Sequence, residues 1–205
     1  MNRGKIRAVF LICLTGAIVI AGLIVYEKVR RPKIRNVVLI SMDTTRSDHL
    51  SCYGVYKNVT PNIDALAQEG ALFKQMYSPV PLTLPSHSSM LTGTHPPRHG
   101  VHDNLKYQLN DSNLTLAEIL KNKGFATGAV ISAFILDSRF GLDQGFDDYD
   151  DEFEETLDSH ISQRRGSEST EHAISWIDKN KPPNAPNKTL CDKKGNYWIA
   201  FFSLS

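Results

Sequence analysis

The sequence predicts an α/β domain whose mixed, mostly parallel sheet is covered by helices on both faces and preceded by one transmembrane helix. Residues 36–42 form a largely apolar run of strand length, which is typical of a buried strand. Helix and strand signals then alternate along the chain, which favours an α/β sheet. We divide the chain into a basic N-terminus with anchor and linker, residues 1–35, and a folded portion, residues 36–205.

The predicted anchor comprises residues 8–26, a run without a charged side chain. About 20 apolar residues cross a bilayer core, and a cleaved signal peptide has a shorter apolar run that ends in a small-residue site. We therefore expect an uncleaved, single-pass helix that contacts membrane lipid. Both flanks of the run are basic, so the positive-inside rule does not orient the helix.

Each element of the folded portion is predicted from a local signal. Pro61 after Thr60 begins a helix, and Thr115 with Glu118 forms a capping box. The predicted helices span 61–70, 86–92, 115–124 and 169–180, and the predicted strands span 36–42, 71–77, 125–132 and 197–205. We expect the strand ending at Met42 to be central in the sheet. Seven acidic residues within 147–155 are typical of a solvated loop.

Composition and charge exclude several classes of protein. Hydrophobic residues make up 41% of the chain and charged residues 22%, which are globular values. Residues 1–35 carry a net charge of +7 and the remainder −6, so the folded portion lacks the basic face that nucleic acid requires. Three cysteines without a CxxC pair exclude a disulfide-dense scaffold. Cys52 and Cys191 either pair in an oxidising compartment or remain two thiols.

Two positions have chemical potential. Asp43 directly follows the first strand, where binding sites of α/β sheets gather, although it would also suit a simple turn. Thr83 precedes the helix expected from Pro85, where backbone N–H groups and the helix dipole favour a bound anion. A divalent cation would help a hydroxyl lose its proton. The four histidines within 87–102 suggest either a zinc cluster or loop packing, and their spacing is not that of HExxH.

Several motifs, in order, resemble the sulfatase family of the alkaline phosphatase superfamily. Residues 36–43 (NVVLISMD) are similar to the first strand and first metal ligand of that family, and residues 60–70 (TPNIDALAQEG) to its TPNLDxLAxEG helix. Residues 83–93 (TLPSHSSMLTG) resemble CxPSRxxLLTG, residues 95–100 (HPPRHG) resemble YPxRHG, and residues 145–147 match GFD. The resemblance implies a sulfatase-like fold that holds a divalent metal, with Ca²⁺ expected first and Mn²⁺ or Zn²⁺ as alternatives.

The resemblance also implies a role for each matching residue. Asp43 and Thr83 would hold the metal, and Thr83 would attack the sulfur or phosphorus of an ester. His87 would be a second catalytic residue and, with Asn104, would orient or stabilise the substrate anion, and Ser86 would bind the substrate. Related phosphonate ester hydrolases have an asparagine at about the distance of Asn104 from the nucleophile, although Asn104 would equally suit a turn.

Several residues of this chain differ from the family motifs, and these differences change the mechanism and the metal affinity that we expect. Thr83 replaces the residue that is oxidised to formylglycine, and its Cβ methyl would yield a ketone, so no formylglycine is expected. Thr44 replaces the second aspartate, His87 replaces the signature arginine, and the GKWHLG segment is missing. The second pair of family metal ligands normally lies far downstream, so we expect a truncated catalytic portion with poor metal affinity and little activity in these 205 residues.

These observations favour a membrane-anchored hydrolase of sulfate, phosphate or phosphonate esters in small molecules, glycans or lipids. The resemblance implies that the folded portion lies on the periplasmic or extracytoplasmic side. The alternatives are an inactive truncated fragment and a non-enzymatic membrane-tethered module.

Overall fold

The computed structural model describes residues 13–17, 19–22, 36–54, 59–152 and 164–180, together with the backbone of 196–203. The chain divides into two units, residues 1–34 and residues 35–205. In the first unit, 13–17 and 19–22 are helical. Most of the predicted anchor, residues 8–26, lies outside the described residues. Among those described, no helix has the length and apolar character needed to span a membrane.

The second unit contains a four-stranded sheet in which every described pairing is parallel. Its strands are β1 (Asn36–Ser41), β2 (Phe125–Val130), β3 (Asp148–Asp150) and β4 (Asn196–Ser203), in the spatial order β1-β4-β2-β3. The parallel α/β sheet is therefore confirmed, and the predicted strands at 125–132 and 197–205 correspond to β2 and β4. The predicted antiparallel component is absent from the described strands.

The expectation that the first strand is central is wrong for the described sheet, because β1 pairs there with β4 alone. Val37 and Leu39 pack against the main core, whereas Val38 and Ile40 are 48% and 56% exposed. A sequence that is apolar at every position of a strand indicates only that both faces of that strand could be buried. It does not specify which strands lie beside it, since pairing is decided by distant segments.

The predicted strand at 71–77 is also wrong. These residues form loop and turn, and Phe73, Met76 and Tyr77 are exposed. Backbone N–H and C=O groups of a strand need a partner strand at hydrogen-bonding distance. In the described part of the sheet no strand runs beside this segment, so its β propensity has no ladder to join.

The helices are α1 (Pro61–Glu69), α2 (Thr83–Thr92), α3 (Pro96–His99), α4 (Leu116–Lys121) and α5 (Gly166–Asn180). The capping box at Thr115 and Glu118 is present, with both reciprocal hydrogen bonds. Gly93 follows α2 with φ +64°, the left-handed conformation that ends a helix. The helix predicted over 86–92 begins at Thr83 instead, and the helix predicted over 169–180 begins at Gly166.

Helices cover both faces of β2. On one face Phe125 and Ile131 join a core with Leu84 and Leu91 of α2 and Ala117 and Leu120 of α4. On the other face Val130 packs with Ala173 of α5, and a Cβ at Gly128 would lie 2.4 Å from the Trp176 ring. The expected three-layer arrangement is therefore present at this strand, and it places the C-terminal end of β1 beside the start of α2.

The acidic segment is not the solvated loop that we expected. It includes β3, and Asp147 accepts hydrogen bonds from the backbone N–H and hydroxyl of Thr127. Asp148 accepts from Trp176 Nε1 at 2.7 Å. Asp150 lies between Arg164 and His172, at 2.5 and 2.6 Å. Residues of α5 and of the segment just before it thus hold these carboxylates at the edge of the sheet. Partial burial acts to raise the pKa of Asp150, but the hydrogen bonds and charges of Arg164 and His172 lower it overall.

Candidate active site

The structure brings Asp43 and Thr83 together. Asp43 follows β1 after one residue, and Thr83 is the first residue of α2. Thr83 Oγ1 donates to Asp43 Oδ2 at 3.1 Å across a sequence separation of 40 residues. Two ligands that bridge one cation would hold their oxygens roughly 4–5 Å apart, and these two atoms lie closer than that. Their proximity is confirmed, and their role as metal ligands stays a prediction.

Thr44 holds the other oxygen of the Asp43 carboxylate. Its backbone N–H donates to Asp43 Oδ1 at 2.8 Å, and its φ is +54°. This left-handed conformation is unfavourable for a β-branched residue because Cβ approaches the backbone carbonyl. Strained residues of this kind concentrate at functional sites, where surrounding structure compensates for their cost.

His87 links β1 to the start of α2. Its Nδ1 lies 2.7 Å from the Thr83 carbonyl oxygen, and its Nε2 lies 3.0 Å from Ser41 Oγ. A carbonyl only accepts, so Nδ1 carries the proton and Nε2 accepts from the Ser41 hydroxyl. Burial lowers the pKa of His87, which favours this neutral form, although the Thr83 carbonyl and Asp43 act in the opposite direction. With 3% of its surface exposed, His87 orients the first turn of α2.

Asn104 caps the helix that carries Thr83. Its Oδ1 accepts from the Leu84 backbone N–H at 3.0 Å. Because only the oxygen of a side-chain amide accepts a hydrogen bond, this contact distinguishes Oδ1 from the NH₂ group, which is directed elsewhere. Pro85 has no N–H, and the Ser86 N–H donates to the Leu82 carbonyl. These three helix positions therefore offer no free N–H to an anion, in contrast to the sequence expectation. The Asn104 NH₂ remains a candidate donor.

A cavity of about 410 Å³ lies over Thr83. Its lining combines a carboxylate, a histidine, hydroxyl-bearing residues and apolar residues: Asp43, His87, Ser41, Thr44, Thr45, Ser78, Thr83 and Ser86, with Met42, Val80, Pro81, Leu82 and Met90. Ser86 lines the cavity, and its hydroxyl lies 2.8 Å from Ser78 Oγ; its role in substrate binding stays a prediction. Asp43 is the acidic lining residue, and no Lys or Arg lines the cavity among the described residues.

The described residues do not complete a metal site. A hard cation such as Ca²⁺ takes about six to eight oxygen ligands, and Asp43 with Thr83 supplies two side chains of the right chemistry. No group of three or more His, Cys, Asp or Glu residues suited to a metal occurs within the described ranges. The chemistry of the pair therefore fits part of a divalent-metal site, within the residues that the structure describes.

The remaining histidines have structural surroundings. His99 is buried, accepts from the Val101 N–H at Nδ1 and contacts Ser89 Oγ through Nε2 at 2.9 Å. His102 packs edge-on against Tyr107. The zinc-cluster alternative is therefore not supported within the described part of the chain, and loop packing accounts for these rings. Cys52 is a free thiol, and Cys191 lies outside the described residues.

Sequence reasoning missed two contributors to the site, Ser41 and Ser78. Ser41 belongs to β1 and was included in an apolar strand. Ser41 lies two positions before Asp43, and alternate residues of an extended chain share a face. This spacing is the sequence signal that places Ser41 on the same face as Asp43. Ser78 gave no comparable signal, since its place in the cavity depends on how the loop before α2 folds.

Comparison with known proteins adds a family to this geometry. The model of the family described as Sulfatase matches residues 35–184, a range that includes Asp43, Thr83, His87 and Asn104. The chain belongs to the sulfatase family. Members of this family generally use a divalent metal.

Curated relatives match a limited part of their own length. The chain is 38% identical to human arylsulfatase A over 98 residues, which are 45% of this chain and 19% of the relative. It is 32% identical to human N-acetylgalactosamine-6-sulfatase over 133 residues, which are 58% of this chain and 25% of the relative. The chain thus spans a quarter or less of these two proteins.

Solved structures confirm the fold. The phosphonate monoester hydrolase of Agrobacterium radiobacter aligns with a TM-score of 0.61 at 21% identity, covering 83% of this chain and 42% of that one. A protein solved with its substrate D-glucosamine-2-N,6-O-disulfate aligns with a TM-score of 0.61 at 24% identity, covering 82% of this chain and 33% of that one. The alkaline phosphatase/sulfatase-like fold is therefore present in the folded unit.

Proposed function

We propose that this chain is the N-terminal portion of a membrane-anchored hydrolase of phosphate, phosphonate or sulfate esters, with Thr83 as its nucleophile. The observation that carries the proposal is the hydrogen bond from Thr83 Oγ1 to Asp43 Oδ2 at the floor of an open cavity. Because the hydroxyl proton points at a carboxylate, the oxygen lone pairs are left to face the cavity. A hydroxyl paired with a nearby acceptor is the usual arrangement of an activated nucleophile.

Phosphorus esters suit this nucleophile better than sulfate esters. A threonine oxygen can attack phosphorus, release the ester alcohol and later be freed by water. The aldehyde-hydrate route to sulfate release needs an oxidised cysteine or serine, and Thr83 cannot supply it. The structural similarity to a phosphonate monoester hydrolase supports this substrate class, and the sulfated-sugar relatives keep glycan esters as candidates.

The neighbouring residues have supporting roles in this proposal. His87 keeps the first turn of α2 in register with β1, and the Asn104 amide donates to a non-bridging oxygen of the ester. Ser86 lies on the cavity wall. No Lys or Arg lines the cavity among the described residues. Asp43 and Thr83 would help to hold a divalent metal, which would supply charge neutralisation of the ester when bound.

The membrane attachment is part of the same proposal. The uncharged run at 8–26 supports a single-pass anchor, and an extracytoplasmic location of the folded portion is proposed with it from the resemblance of the motifs alone. Small-molecule, glycan and lipid esters are all compatible with an open cavity on a membrane-attached domain.

The experiment compares turnover by the 205-residue chain with turnover by any longer in-frame product. Both are supplied with Ca²⁺, Mn²⁺ or Zn²⁺ and offered an aryl sulfate, a phosphate diester and a phosphonate monoester. We expect little turnover from the 205 residues, because the described ones contribute two candidate metal ligands, Asp43 and Thr83. Turnover from the longer product should be lost in Thr83→Ala and largely kept in Thr83→Ser, the matched variant that retains the hydroxyl. Equal turnover by Thr83→Ala, or none from either product with any metal, would contradict the proposal and favour a non-enzymatic module.

A further inference from the structure

A second cavity adjoins the one over Thr83. Its volume is about 560 Å³, and the residues that line it and not the first cavity are Met76, Tyr77, Pro79, Ser89, Gly93, Thr94 and His95. Ser78, Ser86 and Met90 line both cavities and so form their common wall. A group held in the second cavity would therefore lie next to an ester positioned over Thr83.

The serine and threonine hydroxyl groups of this second cavity have partners within the protein, whereas the exposed Tyr77 also lines it. Ser78 Oγ donates to the Val80 carbonyl at 2.7 Å and accepts from Ser86 Oγ. Ser89 Oγ donates to the Pro85 carbonyl at 2.8 Å. Because their protons are already engaged, these side chains present little hydrogen-bonding capacity to a ligand.

Thr94 follows the same pattern, since Thr92 Oγ1 donates to the Ser88 carbonyl and thereby accepts the proton of Thr94 Oγ1 at 2.7 Å. No Asp, Glu, Lys or Arg lines the second cavity within the described ranges, whereas Asp43 lines the first. The two cavities therefore differ in chemistry: the first offers a carboxylate and the nucleophile, and the second offers thioether, ring and methylene surface.

We propose that the second cavity binds the uncharged apolar part of the ester substrate, an aryl or similarly compact hydrophobic group that is not attacked. This inference rests on the proposed function, which places the ester over Thr83, and it adds the class of group that the ester carries. The volume is in the range of cavities that hold small molecules, about 300–1,000 Å³. Methionine and tyrosine side chains adapt well to aromatic ligands through sulfur–ring and ring–ring contacts.

The four methionines of the chain provide a site-resolved test. Met42 lines the first cavity, Met76 the second and Met90 both, while Met1 is the N-terminal residue and lies outside the described part of the chain. The full chain is labelled with ¹³C at its methionine methyl groups and titrated with phenol, an apolar ring without an ester. We expect saturable shifts of the Met76 and Met90 signals, with the Met42 and Met1 signals unchanged.

A matched pair of variants separates this cavity from general apolar binding. Met76 is 74% exposed, so Met76→Asp should fold while placing a carboxylate in the cavity, and we expect at least a tenfold weaker phenol affinity at the Met90 signal. Leu114, another exposed apolar residue, does not line either cavity, and Leu114→Asp should leave the affinity unchanged. Phenol shifts that are absent, that include Met42 or Met1 equally, or that persist in Met76→Asp would overturn the inference. Phenol binding is independent of turnover, so failure of the hydrolase proposal would be seen separately in the ester assay.

Discussion

Thr44 and Thr45 are adjacent residues of the same type at the cavity rim, yet the structure predicts opposite effects of replacing them by glycine. Thr44 has φ +54°, and Thr45 is not among the residues of positive φ. A non-glycine residue in the left-handed region costs about 1–3 kcal/mol, and the glycine that removes this cost introduces about 0.5–1 kcal/mol of extra unfolded-chain entropy. Thr44→Gly should therefore raise the free energy of unfolding by about 1 kcal/mol.

Thr45→Gly carries the entropy cost without relieving strain, so it should lower the free energy of unfolding by about 0.5–1 kcal/mol. The weak contact of the Thr45 hydroxyl with the Asp43 carbonyl, at 3.5 Å, adds little. For a chain of this size, 1 kcal/mol corresponds to a shift in Tm of about 2–4 °C.

The assay is urea or thermal unfolding of the full chain in detergent, followed by tryptophan fluorescence, with wild type and both variants measured side by side. An increase for Thr44→Gly with a decrease for Thr45→Gly is the expected pattern. If both variants lose stability by the same amount, the backbone at Thr44 is not strained in solution and the reasoning fails.

Three further predictions concern packing, pH and the anchor. Gly128→Ala should destabilise the fold by about 1–3 kcal/mol, because a Cβ there would lie 2.4 Å from the Trp176 ring. Most of this loss should disappear in a Trp176→Ala background, and a loss of equal size in both backgrounds would rule out this clash. Burial lowers the pKa of His87, so below about pH 6.5 this side chain binds more protons in the unfolded chain than in the folded one. The contribution of His87 to the free energy of unfolding should therefore be fully present above that pH, and it should fall with decreasing pH by up to about 1.4 kcal/mol per unit until the folded-state pKa is reached. Unfolding curves of His87→Gln should show a shallower pH dependence, and an unchanged slope would count against the buried neutral ring. Residues 8–26 should remain in the mature protein, and mass spectrometry of the membrane fraction would refute this by finding an N-terminus beyond Tyr26.

Signals that act within a few residues were sufficient for several parts of the fold. The capping box of Thr115 and Glu118 requires only that a hydroxyl and a carboxylate lie three residues apart, and it is present as predicted. Pro61 at the start of α1 and Gly93 after α2 depend in the same way on the local backbone. The family likewise followed from short motifs in order, because each preserves a local structure together with the residue that it presents.

Contacts between distant segments decided the rest. Whether β1 is central, and whether 71–77 forms a strand, depends on which partner strand is available, and no local pattern specifies that partner. The acidic run became part of the sheet edge through Arg164, His172 and Trp176, residues that the chain brings back from 14 to 28 positions away.

The candidate site divides along the same line. Motifs identified Asp43 and Thr83 as candidates, because a residue after a strand and a residue at a helix start have predictable exposure. The 3.1 Å hydrogen bond between them, the left-handed backbone of Thr44 and the Ser41–His87 contact exist only once β1 and α2 pack together. Hydrogen bonds require positioning to within tenths of an ångström, and that accuracy comes from the packed core beneath both elements rather than from either segment alone.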